Sequence, residues 1–159
     1  MFGKLFRKFR KPEAADTGCV PAASAKRKVL LVVDDDAVVR KTLNLKLSAA
    51  GYRVLEAPDG STALALAKQE NPNIIIMDIH LAPEPGMTWN GFSLMTWFEH
   101  HHKKIRSPFI VITADESAGV RDQALTAGAA GFFQKPLDMP ALIAALEKLV
   151  ISDPQPGRG

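Results

Sequence analysis

Residues Val29–Asp36 read VLLVVDDD: an unbroken apolar run that passes directly into three carboxylates. A short run of Val and Leu without polar alternation is the pattern of a strand covered on both faces. The acids at its exit mark the end where that strand leaves the core. The construction recurs downstream. Ile74–Met77 (IIIM) is followed by Asp78, and Phe109–Ile112 (FIVI) is followed by Thr113. Two further runs, Arg53–Glu56 (RVLE) and Gly131–Gln134 (GFFQ), are more polar. Unbroken runs suit interior strands and polar ones suit edges, so the pattern places strands 1, 3 and 4 inside and strands 2 and 5 outside.

The stretches between the runs have helical spacing. In Asp36–Ala50, residues Val39, Leu43, Leu47 and Ala50 share one face, and Gly51 stops the helix. Asp59 can cap a second helix carrying Ala63, Leu64 and Ala67, and Gly91–His101 reads as a third, with Phe92, Met95 and Phe98. A fourth is expected to start at Asp115 or Ser117 and run to Gly128; Asp138 caps the last, with its stripe of Leu142, Ile143, Leu146, Leu149 and Val150. Strands alternating with helices of this size predict an α/β, doubly wound parallel sheet with helices on both faces.

Charge is unevenly distributed. The chain as a whole has a formal net charge of +3, yet Val29–Ile151 holds 11 basic and 14 acidic residues. A nucleic-acid-binding domain should carry a basic face on the fold itself, so no nucleic-acid partner is expected. The excess positive charge lies in a leader, MFGKLFRKFRK, where Phe2, Leu5, Phe6 and Phe9 recur at helical spacing and Lys4, Arg7, Lys8, Arg10 and Lys11 fill the other face. That pattern fits contact of residues 1–11 with an anionic membrane surface or with a partner, and equally a basic tail that contacts nothing. Residues 12–27 read as a flexible linker and residues 152–159 as a disordered tail. The one cysteine, Cys19, excludes an internal disulfide and suits a reducing compartment. No apolar run approaches the roughly 18 residues of a membrane span.

Ligands of doubly wound sheets bind outside the carboxyl ends of the strands. There the sequence places Asp34, Asp35 and Asp36 after strand 1, Asp78 after strand 3, Thr113 after strand 4, and Lys135 with Pro136 after strand 5. Carboxylates brought together repel one another and call for a counter-charge. A hard divalent cation bound through oxygens supplies one, and a lysine supplies another.

The motifs VVDD (Val32–Asp35), IIMD (Ile75–Asp78), ITA (Ile112–Ala114) and QKP (Gln134–Pro136), in this order and at strand ends, resemble those of response-regulator receiver domains of two-component signalling. The resemblance covers about residues 28–151. It implies a flavodoxin-like sheet of order 2-1-3-4-5, in accord with the edge-strand reading. It implies that Asp78 is the phospho-acceptor, that Asp34, Asp35, Asp78 and the backbone carbonyl of His80 hold Mg²⁺, and that Lys135 contacts the phosphate. Thr113 and Phe132 match the switch positions. The implied donor is a histidine kinase or histidine phosphotransfer protein, and the implied output is an unknown downstream protein. The expected chain is a stand-alone, cytoplasmic switch, peripheral at the inner membrane surface if the leader binds lipid, and not an enzyme.

Two other classes are weighed. An aspartyl-phosphate phosphatase of similar fold typically places a second acid two residues after its nucleophile, where this chain has His80. A receiver-like scaffold that is never phosphorylated would not need the acidic pair and the lysine. The chain departs from the family pattern between Asp78 and Gly91, where residues 82–90 form an insertion with Pro83, Pro85, Gly86 and Trp89; such a loop is expected to be stiff and to overhang the site. The run His100–His102 is not read as a metal site, because adjacent residues on a helix point to different faces.

Overall fold

A computed structural model describes residues 27–87, 89–101 and 105–152. Five strands and five helices alternate: β1 (Val29–Val33), α1 (Ala37–Ala49), β2 (Arg53–Ala57), α2 (Gly60–Glu70), β3 (Ile74–Asp78), α3 (Gly91–His101), β4 (Phe109–Thr113), α4 (Val120–Thr126), β5 (Gly131–Gln134) and α5 (Met139–Ser152). All pairings are parallel and the sheet order is β2-β1-β3-β4-β5. The interior and edge assignments hold: β3 and β4 are buried throughout, whereas β5 is part-buried to exposed.

The period-2 alternation of each strand divides the core into two layers. Leu31, Val33, Ile75, Met77 and Val111 pack under α2, α3 and α4 against Ala63, Ala67, Leu94, Met95, Phe98 and Ala124. Leu30, Val32, Ile74, Ile76, Ile110 and Ile112 pack under α1 and α5 against Leu43, Leu47, Leu142 and Leu146. Burying each such side chain contributes about 1.5–3 kcal/mol, which makes the sheet a rigid base for whatever stands at its edge.

Helix starts follow the acids expected of them. The side chains of Asp36, Asp59 and Asp138 accept from the backbone N–H of Val38, Thr62 and Ala141 at 2.8, 2.7 and 3.1 Å. Gly51 takes a φ of 96° just past the end of α1, a left-handed conformation that glycine adopts without steric cost. Ala50, assigned above to the buried face, instead ends the helix as its exposed C-cap. The fourth helix starts later than its acids suggest: α4 begins at Val120 behind Gly119, with no side-chain cap. Asp115 is drawn into the functional edge instead, as described below. The leader, the linker and residues 153–159 lie outside the described residues, as do Thr88 and residues 102–104. Among the described residues no helix is long and apolar enough to cross a membrane.

Candidate phosphoryl-acceptor site

Register alone brings the candidate residues level. Val33 pairs with Met77, Asp78 with Ile112, and Thr113 with Gln134. Asp34 therefore stands beside Asp78, and Thr113 and Lys135 each follow within a residue, all at the carboxyl edge of the sheet. Lys135 reaches back across that edge. Its Nζ lies 2.6 Å from Asp34 Oδ2 and 2.7 Å from Asp78 Oδ2. The carboxylates of Asp34, Asp35 and Asp78 each offer an oxygen within 4.8 Å of the others. The Lys135–Pro136 peptide is cis.

The three acids differ in environment. Asp34 is fully buried; its Oδ1 accepts from the backbone N–H of Asp36 and its Oδ2 from Lys135, while Arg40 donates to its backbone carbonyl. Burial pushes its carboxyl above the ordinary value, and the Lys135 and Asp36 bonds offset only part of that. Asp78 is 6% exposed, and its Oδ1 accepts from the backbone N–H of His80 at 3.0 Å. Asp35 is exposed and, among the described residues, has no hydrogen bond or ion pair. For Lys135, burial would lower the pKa, but the hydrogen bonds and charges of Asp34 and Asp78 outweigh it and hold the ammonium above its ordinary value. One cation thus faces three carboxylates, and the open side of the cluster is the one Asp35 borders. Three hard oxygen donors around an uncompensated negative charge suit a small divalent cation, so the residues present fit Mg²⁺.

Thr113 is fully buried, and its hydroxyl accepts from the backbone N–H of Asp115 at 3.1 Å, leaving its own proton to donate. Phe132 is half-buried against the α2–α4 layer, with the Arg121 guanidinium 6.0 Å from its ring centroid. The structure therefore brings Asp34, Asp35, Asp78, Thr113 and Lys135 together and sets Phe132 into the adjoining wall.

Two features of this edge are not legible from spacing. The His80 ring Nε2 lies 2.8 Å from Asp115 Oδ2, which ties the loop after β3 to the loop after β4. Hydrogen bonds from the Ser117 side chain, then from His80, hold the Asp115 carboxyl down to about 2. The two residues are 35 apart in sequence, and only the β3–β4 register makes them neighbours. The second feature is the path of the insertion. Its ends are cinched where Gly91 N donates to Ile79 O at 2.8 Å. Its body turns toward α2: Glu84 accepts from the backbone N–H of Ser61 at 3.1 Å and from the Ser61 hydroxyl. The Trp89 ring packs against Gly60 and meets Trp97 edge-on at 6.1 Å. The stiffness expected of the loop is thus reinforced by anchors on α2 and α3. His100 and His101 bond their own helix, at Thr96 O and Trp97 O, and His102 lies outside the described residues.

Comparison with known proteins agrees with this geometry. Residues 30–147 match the family model described as "Response regulator receiver domain". Response regulator PleD of Caulobacter vibrioides is 38% identical over 120 residues, covering 76% of this chain and 25% of that protein. The chain therefore spans about a quarter of that relative's length. Among solved structures, a putative response regulator from Chloroflexus aurantiacus superposes with a TM-score of 0.70 at 29% identity, over 79% of this chain and 99% of the other. The chemotaxis response regulator CheY4 of Vibrio cholerae superposes with a TM-score of 0.66 at 28% identity, over 77% and 98%.

Proposed function

The chain belongs to the response-regulator receiver family, and on that premise we propose that it is a phosphorylation switch whose acceptor is Asp78. The observation that carries the reading is the bridge of Lys135 Nζ to Asp78 Oδ2 and Asp34 Oδ2, at 2.7 and 2.6 Å, beside the exposed carboxylate of Asp35. A structural salt bridge would need one acid; the surplus of negative charge suits a divalent cation, which in turn offsets the charge of an incoming phosphoryl group.

In this reading a carboxylate oxygen of Asp78 forms a bond to the phosphorus of a phosphohistidine while the phosphorus–nitrogen bond breaks and the donor imidazole leaves. The donor is a histidine kinase or a histidine phosphotransfer protein. Asp34, Asp35, Asp78 and the His80 carbonyl would hold Mg²⁺, which when bound neutralises charge on the transferring oxygens. Lys135 places an ammonium within hydrogen-bond reach of the new phosphoryl group, and the Thr113 hydroxyl offers a donor to another of its oxygens. Drawing Thr113 inward moves the backbone at Asp115, which bonds that hydroxyl. The loop after β4 is then displaced, and Phe132 follows, shifting the α4–β5–α5 face between two populated states. A downstream protein that prefers one state reads the signal.

The test is mass spectrometry after incubation with acetyl phosphate and Mg²⁺. A single phosphoryl adduct, absent from Asp78→Asn and from samples with the metal chelated, supports the switch. A wild-type chain that takes no adduct, or that turns over varied phosphate esters rapidly, overturns it.

A further inference from the structure

An apolar hollow lies beside the carboxyl edge of the sheet and is lined by Val38, Val39, Thr42, Lys46, Leu137 and Met139, with a cavity of about 210 Å³. The stem of Lys135 forms part of its wall, while the ammonium is turned away to Asp34 and Asp78. Two large apolar side chains of α1 stand uncovered near the hollow, Val38 at 72% exposed and Leu45, seven residues on, at 74%, with exposed Lys41, Thr42 and Lys46 between and beside them. A single exposed apolar residue needs no explanation, but two at helical spacing, one of them bordering an apolar hollow, outline a strip that a short apolar segment can cover. At one end of the strip stand the exposed carboxylates of Asp35 and Asp36.

The leader has the complementary pattern. Phe2, Leu5, Phe6 and Phe9 span the same seven positions as Val38 to Leu45, a length of about 10 Å at helical rise. The five basic residues of 1–11 are unopposed by any acid within that segment, whereas Val29–Ile151 carries more acids than bases. Reach is not limiting. Residues 12–28 can extend over roughly 55 Å, while α1 measures about 20 Å from end to end. We propose that residues 1–11 of the same chain dock on this α1 and β5–α5 groove. Their aromatic stripe covers Val38, Thr42, Leu45 and the hollow, and Arg7, Lys8, Arg10 and Lys11 border Asp35 and Asp36. The contact covers one flank of the site without entering it, and the inference does not depend on Asp78 being phosphorylated.

Hydrogen–deuterium exchange on the full chain tests this against two variants. The first carries Phe2→Ser, Leu5→Ser, Phe6→Ser and Phe9→Ser together, which keeps the leader's charge. The second, Val38→Asp, changes only the groove at an exposed position, and circular dichroism checks that each variant folds. Amides of 37–46 and 136–140 should exchange roughly threefold faster in both variants than in the wild type, with the wild-type protection weakened by added salt. Equal exchange in all three chains overturns the proposal. Protection that disappears on dilution assigns the groove to a second copy and also overturns it. In a further arm, vesicles of phosphatidylglycerol and phosphatidylcholine are added. If the wild type pellets with them and its groove exchanges as fast without vesicles as in the serine variant, the leader is a lipid anchor and the groove assignment fails.

Discussion

At the scale of single residues, the site is a problem of charge balance. Three carboxylates crowd one edge, only Asp34 and Asp78 pair with the single ammonium, and Asp34 and Lys135 meet at 2.6 Å in a buried setting. Asp35 is the exposed member of the cluster, so Asp35→Asn removes repulsion at little packing cost. In metal-free buffer that variant should be more stable than wild type by ~0.5 kcal/mol, as read by urea denaturation; a loss of stability would mean that Asp35 has a structural partner. The His80–Asp115 contact makes a separate prediction. Asp115 has its carboxyl lowered from the ordinary 3.8 to about 2, first by Ser117 and then by His80. Its contribution to stability is therefore present above pH 3.8 and lost as the pH falls through about 2. His80→Ala should raise the Asp115 titration midpoint, but only part of the way to 3.8, because Ser117 remains. Carbon-13 NMR of the Asp115 carboxyl measures this directly; an unmoved midpoint would show that the contact is absent in solution.

The element that sets this chain apart is the loop between β3 and α3. Glu84 holds it by accepting from Ser61 in the first turn of α2, where Asp59 already caps Thr62. Glu84→Ala frees one backbone N–H and one hydroxyl at a helix N-terminus, so a cost of about 1 kcal/mol is expected. Trp89 and Trp97 are the two tryptophans of the chain and touch each other. Fluorescence during unfolding thus reports the loop and α3 together, and the Glu84→Ala midpoint should fall while the slope stays. At the loop's root the tolerance is far smaller. A Cβ on Gly91 would lie 2.6 Å from the Asp78 carbonyl oxygen and 2.8 Å from Ile79 Cα, both backbone atoms that cannot swing away. Gly91→Ala should therefore cost ~1–3 kcal/mol and shift the backbone of Asp78, the proposed acceptor. Its check is a paired one, thermal stability with phosphoryl uptake, and both should fall together.

For the molecule as a whole, the fold trades stability for a charged edge. The two apolar layers are closed, with no buried side-chain polar atom left unpartnered among the described residues, while like charges gather where the strands exit. Mg²⁺ should therefore stabilise the native state by mass action, by ~2.7 kcal/mol when present at about 100 times its Kd, seen as a thermal midpoint that climbs with metal concentration. The climb should vanish in Asp35→Asn; a climb that persists there would place the cation elsewhere. Much of this was legible beforehand. Unbroken Val, Ile and Leu runs require cover on both faces wherever they occur. VLLVV, IIIM and FIVI thus determined an interior parallel sheet, and with it the edge where Asp34, Asp78, Thr113 and Lys135 had to emerge. Asp36, Asp59 and Asp138 announced their helices because capping is a local interaction spanning two or three residues. The start of α4 was not readable, because Asp115 serves a local turn at Ser117 and a distant partner, His80, at once, and the helix begins only behind Gly119. The same holds for Glu84 on Ser61, for Trp89 on Trp97, and for which of three adjacent acids would be buried, paired or exposed. Those outcomes depend on the register between strands and on the distance across helices far apart in the chain, and local spacing carries no information about either.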